Sequence, residues 1–296
     1  FLHLLSNYKT MRQTIITLFF LLSIGVSWAG ERNSTITLGV RNFTYTPKEE
    51  KKTVGSALGT IASMVITGQN TTQQPQYKDA VRAAIVKGLA SGFRTVATDM
   101  ESVGDKANGE FDYYVDATIN NISTTTKTEP LTTVKDGVKT WYKAMVGITI
   151  QIKDPKTEKV IASPMFKISD VDIAWIETEE SAMTSTLNRL AGYVGRYCNS
   201  WFPIYGTILE SSRQTKDKQK EVYTDLGTNL GAYKGLKLAA YTVKTIAGKD
   251  TKTQVGKLKI ESVQGEEISL CKIQSGGKEI KNVLDKGETI IVKSTE

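Results

Sequence analysis

The chain has 296 residues, of which 40% are apolar and 23% are charged, so its composition indicates a folded protein with a sizeable core and not a disordered chain. Its formal net charge of +7 comes from basic residues that are spread along the sequence. Because no basic stripe or tail stands out, we do not expect nucleic-acid binding.

The N-terminal residues have the pattern of a secretory signal peptide. Met11-Arg12 starts a short positive region, an apolar run extends over Ile15–Val26, and small residues at positions 27 and 29 precede Gly30. We predict cleavage after Ala29, so that residues 1–29 are the signal peptide with upstream residues. A retained N-terminal anchor is the alternative.

Cleavage would change the chemistry that the chain can perform. It removes Lys9, Arg12 and His3, which lowers the net charge to +5 and leaves no histidine. The mature chain would therefore lack serine–histidine and cysteine–histidine catalysis and every histidine-ligated metal site. No cysteine near the cleavage site offers a place for a lipid, so we expect a periplasmic protein without a lipid anchor. Because the catalytic patterns named above are missing, we expect neither enzyme activity nor a cofactor.

Residues 34–122 predict a sheet with helices packed on it. Hydrophobic alternation favours a strand at Ser34–Val40, and Gly55–Thr67 is typical of a helix rich in small residues. The apolar spacing of Tyr77–Phe93 predicts an amphipathic helix, followed by strands at Phe93–Thr98 and Tyr113–Ile122.

The next segment contains one clear strand and one clear helix. Ser123–Thr140 is polar and is interpreted as the flexible end of a hairpin, whereas Ala144–Lys153 alternates strictly and a third strand opens at Val160. A second amphipathic helix is expected over Ser181–Asn199, with Ser181 and Thr184 as candidate caps.

Phe166–Ile176 is a further candidate strand. It would place Asp170 and Asp172 on one face, as the nearest pair of carboxylates for hydrolysis of wall polymers. We interpret this pair as a solvated strand edge.

After Trp201–Gly206 the pattern changes to short strands alone. Six of them in about 90 residues predict a small barrel: Thr207–Glu210, Glu221–Asp225, Leu236–Val243, Val255–Val263, Glu267–Ile273 and Thr289–Lys293. The expected fold is therefore α+β, with a mixed sheet flanked by helices in residues 30–203 and an all-β barrel in residues 204–296.

Three glycines, Gly227, Gly231 and Gly235, are spaced four residues apart between two of these strands. They match neither a phosphate loop nor a dinucleotide fingerprint, and polar residues interrupt a membrane-helix seam. We interpret them as structural glycines of a barrel loop that permit positive φ and close chain crossings. Three further residues of this loop are candidate partner contacts: Asn229, Tyr233 and Lys234.

Cys198 and Cys271 are the only cysteines. An oxidising compartment permits a disulfide between them, and two buried thiols are the alternative.

The last third of the chain resembles the C-terminal domain of flagellar assembly protein T. The similarity rests on FPIYGTILESS, LGTNLGAYKGLKLAAYTV, VGKLKIESV and LDKGETIIV, within about residues 202–294. It implies a small barrel with this order of glycine turns.

The preceding part resembles the periplasmic domain of curli production assembly/transport component G and is similar to penicillin-binding-protein activator lipoprotein B. The matching segments are TLGVRNFTYT, DAVRAAIVKGLASGFRTVATD, DYYVDATINNIS and AMVGITIQIKDPKTEKVIAS. The resemblance implies a sheet flanked by helices that makes protein–protein contacts at the cell envelope, without catalytic residues.

Together these features favour a non-enzymatic periplasmic assembly or scaffolding factor for an outer-membrane-associated machine. Its expected partners are envelope proteins or further copies of itself, with peripheral attachment to the outer membrane or peptidoglycan. The alternative is a subunit of a curli-type secretion channel. Exposed loops at Thr124–Thr140 and around the three glycines are the candidate partner surfaces.

Overall fold

The computed structural model describes residues 33–46, 69–104, 110–130, 137–247 and 249–295. They form two compact units, one of Ile36–Cys198 and one of Asn199 onward together with the described residues before Ile36. The first contains a mixed sheet with helices and the second a closed barrel, which confirms the predicted α+β class. The predicted signal peptide and the helix Gly55–Thr67 lie outside the described residues.

The first unit contains seven strands and three α-helices within the described residues. In chain order they are β1 (Ile36–Tyr45), β2 (Gln69–Gln73), α1 (Lys78–Ala90), β3 (Thr95–Asp99), α2 (Met100–Val103), β4 (Tyr113–Pro130), β5 (Val138–Lys153), β6 (Val160–Ala162), β7 (Met165–Ile168) and α3 (Glu179–Trp201, whose last three residues fall in the second unit).

The sheet of the first unit has seven strands in the order β3-β1-β4-β5-β6, with β2 paired to β4 and β7 paired to β5. β1 runs parallel to both β3 and β4, and the other pairs are antiparallel. Strict alternation makes β5 bury every second residue from Ala144 to Ile152, which fixes its register against the core.

Two helices supply the apolar side chains that cover this sheet. The fully or almost fully buried ones are Val81, Ile85, Leu89, Met183, Leu190 and Val194. α1 and α3 approach closely because small residues lie between them: a Cβ added at Gly88 would be 2.7 Å from the Ala191 carbonyl oxygen. Each fully buried leucine or isoleucine contributes about 1.5–3 kcal/mol of transfer free energy.

The barrel of the second unit closes without a free edge. Its elements are β8 (Tyr205–Gln214), β9 (Gln219–Thr224), β10 (Lys237–Ile246), β11 (Lys249–Val263), β12 (Ser269–Ser275), α4 (Gly277–Leu284) and β13 (Ile291–Ser294). The strand order β10-β11-β12-β9-β8-β13 returns to β10, as β13 pairs with both β8 and β10. The six predicted strands and the small barrel are confirmed.

The helix α4 was not predicted from the sequence, because the pattern after Gly206 indicated short strands alone. Gly276 is left-handed at φ 80° and the chain then enters eight helical residues. Ile280 of α4 is completely buried, and an added Cβ at Gly256 would lie 2.6 Å from its Cδ1 atom. The helix therefore contributes a side chain to the apolar core of the barrel.

Three further predictions about the first unit were wrong. Most of Ser123–Thr140 belongs to the paired strands β4 and β5. Asp170–Asp172 is a turn of 3₁₀ helix and not part of a strand. α3 begins two residues before Ser181, so neither Ser181 nor Thr184 caps it.

Candidate interaction surface

A long antiparallel hairpin is the most extended feature of the first unit. β4 has 18 residues and β5 has 16, and they pair from Tyr114↔Lys153 to Pro130↔Val138. The half of the hairpin beyond Ile122 is polar, yet its threonines are β-branched and suit a strand. Ser123, Thr124 and Thr125 are buried in succession, so both faces are covered where this half begins. This half is a pleated surface of paired strands, whereas the sequence predicted the flexible end of a hairpin.

Two short segments widen this half of the hairpin. β2 pairs with β4 between Gln69↔Lys127 and Gln73↔Ser123. On the other side Tyr142 and Ile176 exchange both backbone hydrogen bonds, at 2.7 and 2.9 Å. Because side chains alternate between faces, this bridge places Trp175 beside Lys143 and Glu177 beside Trp141 on the same face.

We call this face the Lys–Trp patch and define it by Lys127, Lys139, Trp141, Lys143 and Trp175. The ammonium groups of Lys127 and Lys143 lie 5.1 and 5.0 Å from the centre of the Trp175 ring. Lys139 lies 4.2 Å from the centre of the Trp141 ring. Cation–π contacts of this kind contribute about 0.5–1 kcal/mol each at exposed sites, so they order the patch and also stabilise the hairpin.

Two glutamates complete the electrostatics of the patch. The Trp141 indole donates a hydrogen bond to Glu129 at 2.9 Å, Lys127 forms an ion pair with the same carboxylate at 2.7 Å, and Lys139 pairs with Glu177 at 2.5 Å. The hydrogen bond from Lys127, followed by that from Trp141, lowers the pKa of Glu129.

The patch is open to solvent. The side chain of Lys127 is 25% exposed and that of Lys139 is 39% exposed, while Glu129 and Glu177 are more than half exposed. Both tryptophans are half-buried. The patch therefore presents large aromatic surfaces together with amines and carboxylates that are already oriented, which suits binding of another macromolecule.

The range Thr124–Thr140 predicted from the sequence contains Lys127 and Lys139 but not the two tryptophans or Lys143, and no residue of the patch was singled out. The signal was present, because Lys127 and Glu129 on one strand and Lys139, Trp141 and Lys143 on the next recur with period two. Trp175 could not be found this way, since it reaches the patch through one isolated bridge.

The glycine-bearing loop lies in the barrel unit. Gly231 and Gly235 have φ angles of 77° and 105°, whereas Gly227 is extended. A Cβ at Gly227 would lie 1.9 Å from the carbonyl oxygen of Glu266, so the loop touches the neighbouring turn there.

The three candidate contact residues of this loop, Asn229, Tyr233 and Lys234, are all exposed. The backbone N–H of Asn229 donates to the carbonyl oxygen of Glu266 at 3.1 Å, and the Tyr233 side chain is 43% exposed. Their role in binding a partner stays a prediction.

Both cysteines are buried free thiols in the structure, so it contains no bridge between them. Burial raises the pKa of Cys198 to about 12. Burial also raises the pKa of Cys271 to about 11, although the nearby Thr224 hydroxyl, 3.4 Å from the sulfur, acts in the other direction. Both thiols therefore stay protonated near neutral pH.

The carboxylate of Asp172 has a local structural role. It accepts hydrogen bonds from the backbone N–H and the hydroxyl of Ser169, at 2.8 and 2.6 Å, and these bonds lower its pKa. This is the capping arrangement of a short 3₁₀ turn.

Two features are absent from the described residues. Among them, no three His, Cys, Asp or Glu side chains come together in a way that could hold a metal ion. Within the same ranges, no helix is both long enough and apolar enough to cross a membrane.

No protein-family model and no curated protein matches this chain. Three solved structures are similar at a TM-score of 0.29. A Xanthomonas campestris protein, XCC0632 of the DUF330 family, is 9% identical over 57% of this chain and 85% of its own. A Paraburkholderia phytofirmans PelC dodecamer is 14% identical over 54% and 87%, and the hypothetical protein CT253 from Chlamydia trachomatis is 10% identical over 56% and 97%. These scores are too low to establish a common fold.

Proposed function

We propose that this protein is exported to the periplasm, where it acts without catalysis as an assembly or scaffolding factor for an outer-membrane-associated machine. The observation that carries the proposal is the Lys–Trp patch on the β4–β5 hairpin. The secretory pattern of residues 11–29 supports the location.

The geometry of the patch favours contact with another protein. Trp175 and Trp141 supply rigid aromatic area, and their ring contacts with lysines hold the side chains in place before a partner arrives. Binding to such a surface costs less side-chain entropy than binding to loose side chains. The lysines and Trp141 lie on the paired strands β4 and β5, so the spacing between their side chains is fixed.

The direct test is photo-crosslinking in living cells of the source organism. A photoreactive residue replaces Glu177, which is exposed at the rim of the patch, and the matched control replaces Ser185, which is exposed on α3 of the same unit. We expect an envelope protein to be captured from position 177 and not from position 185. Equal capture from both positions, or none from either, would contradict the proposal.

A pair of aromatic variants connects that capture to the patch. Trp175→Ala should abolish the product from position 177, because it removes the ring that orders Lys127 and Lys143. Tyr193→Ala removes a half-buried aromatic ring of α3, one that contacts Arg196 at 4.6 Å, and should leave the product unchanged.

A subunit of a curli-type secretion channel is the second candidate, and the length of the hairpin favours it. Its strands of 18 and 16 residues exceed the roughly 9–11 residues that a membrane-spanning strand needs. This function predicts a detergent-resistant ring and conductance in planar bilayers. A protein that fractionates entirely as a soluble monomer would exclude it.

A further inference from the structure

The barrel unit has an excess of basic residues over acidic ones. Residues 199–295 contain 16 lysines and arginines against 11 aspartates and glutamates. Three exposed lysines even lie opposite one another on adjacent strands, because Lys237 pairs with Lys259 and Lys259 pairs with Lys272. Like charges in register destabilise a sheet, so this row does not serve the fold.

The row has one acidic neighbour within the described barrel, Glu221, which lies opposite Lys272 on β9. Among the residues that the structure describes, the ion pairs of this unit are Arg213–Glu221 and Lys281–Asp285, and neither includes a lysine of the row. Such a face attracts anions and raises their local concentration.

A cavity lies on the outer face of the same barrel, where β8, β13, β10 and β11 adjoin. Its volume is about 150 Å³ and it is lined by Tyr205, Tyr241, Val243, Lys252, Ile291 and Lys293. The strand register brings these residues together, since Tyr241 pairs with Ile291, Tyr205 with Lys293, and Val243 with Lys252. A single water needs only about 10–15 Å³ of such space, so the cavity has room for several heavy atoms.

The lining defines the chemistry of a ligand. Two ammonium groups favour a negative charge, and the tyrosine rings with Val243 and Ile291 form an apolar wall. A carboxylate on a short aliphatic stem matches both features, as in a glutamate side chain. The lysine row on the neighbouring strands β10, β11 and β12 offers further ammonium groups to an extended acidic chain. A small free carboxylate held in the cavity would not reach them.

From this arrangement we infer that the barrel binds an acidic polypeptide segment, with one glutamate side chain seated between Lys252 and Lys293 and neighbouring acids on the lysine row. This binding site goes beyond the proposed function, because it lies in the other unit and uses no residue of the Lys–Trp patch.

Fluorescence anisotropy with the purified full chain tests the inference. The probes are a labelled peptide of alternating glutamate and leucine and its glutamine counterpart, at about 50 mM salt, where charge attraction is weakly screened. We expect binding of the glutamate peptide only. Lys252→Gln with Lys293→Gln should weaken that binding about tenfold or more, since both ammonium contacts are lost.

The matched control is Lys278→Gln with Lys286→Gln, which removes the same charge from exposed positions of the barrel that do not line the cavity. It should change the affinity less than twofold. Trp175→Ala should also leave peptide binding intact, so failure here and failure of the proposed function are distinguishable. Urea unfolding of each variant shows that it is folded.

Three outcomes would overturn the inference. One is equal binding of the glutamine peptide, and another is an equal loss of affinity in both double variants, which would reduce the effect to overall charge. The third is displacement of the peptide by butyrate with a dissociation constant equal to that of the peptide. This would assign the cavity to a small free carboxylate.

Discussion

At the scale of single residues, Gly227 shows how a missing side chain permits a contact between loops. Its φ of −125° is open to any residue, so conformational freedom is not the reason for glycine here. The reason is space, because the Glu266 carbonyl oxygen occupies the position where a Cβ would be. Gly287 is the opposite case, with φ 70° and no atom within 4 Å of an added Cβ.

We expect these two positions to respond differently to alanine. Gly287→Ala should lower the free energy of unfolding by about 1–2 kcal/mol, the usual cost of a left-handed alanine. Gly227→Ala should cost about 3 kcal/mol or more, because two backbone segments must separate. Urea unfolding of both variants measures the difference, and equal losses would show that the loop relaxes without cost.

The buried thiol of Cys198 makes stability depend on alkaline pH. Its folded pKa is about 12, against an ordinary value near 9, so the folded chain holds the thiol proton more tightly than the unfolded chain. Below pH 9 both states are protonated and stability is unaffected. Above pH 9 the unfolded chain releases the proton and is favoured, by up to about 1.4 kcal/mol per pH unit until the folded pKa is reached.

Cys198→Ala provides the measurement. Urea unfolding at pH 8 and pH 10 should show a fall in the free energy of unfolding that is about 1 kcal/mol smaller in the variant than in the parent. Cys271 and the lysines are the same in both proteins, so their titration cancels. The pKa of Tyr197, which burial and then Cys198 raise, changes with the substitution and belongs to the measured difference. Identical pH dependence would mean that the thiol is not buried.

At the scale of elements, α3 begins where its first turn is capped. The Thr178 hydroxyl accepts a hydrogen bond from the backbone N–H of Ser181 at 3.2 Å, and its carbonyl oxygen accepts one from Ala182. Thr178 therefore holds the N-cap position, three residues before the serine that the sequence suggested.

Two hydroxyl deletions separate these assignments. Thr178→Ala should destabilise the protein by about 1 kcal/mol. Ser181→Ala should change stability by only a few tenths, because the exposed Ser181 hydroxyl accepts a hydrogen bond from the Thr178 hydroxyl at 2.8 Å but caps no backbone N–H. Thermal unfolding resolves the two. A larger loss for Ser181→Ala would return the cap to the position predicted from the sequence.

Predictability also differs between elements. β5 and α3 were found because their apolar periodicity is local to the chain. The end of β4 was taken for a linker because Thr124–Thr128 are polar, and their strand depends on pairing with β2 and β5, which the sequence does not display. The helix α4 was missed because glycines occupy its N-cap and first position, Gly276 and Gly277, and because the burial of Ile280 depends on strands far along the chain.

At the scale of the whole molecule, the barrel could be predicted by counting strands, but its closure and its cavity could not. Alternation predicts each strand separately, whereas the pairing of β13 with both β8 and β10 joins residues 50 or more positions apart. The cavity and the lysine row both result from this closure and from register, so no sequence motif indicated them.

The uneven charge of the molecule predicts how salt acts on stability. Lys259→Gln removes the middle lysine of the row and should raise the free energy of unfolding by a few tenths of a kcal/mol at low salt. In 0.5 M salt the gain should disappear, because the charges are screened. Lys278→Gln serves as the control with the same change in net charge, and an equal gain there would show that position in the row is irrelevant.

The two unpaired sulfur atoms have one more consequence. Cys198 is assigned to the sheet unit and Cys271 to the barrel, and each is buried, so a thiol-specific reagent can reach either one only when its own unit opens. The rate of labelling at each position then reports separately on how often that half of the protein unfolds. The native chain thus contains one cysteine in each unit whose labelling rate reports on opening, so the opening rates of the two units can be compared without an engineered probe.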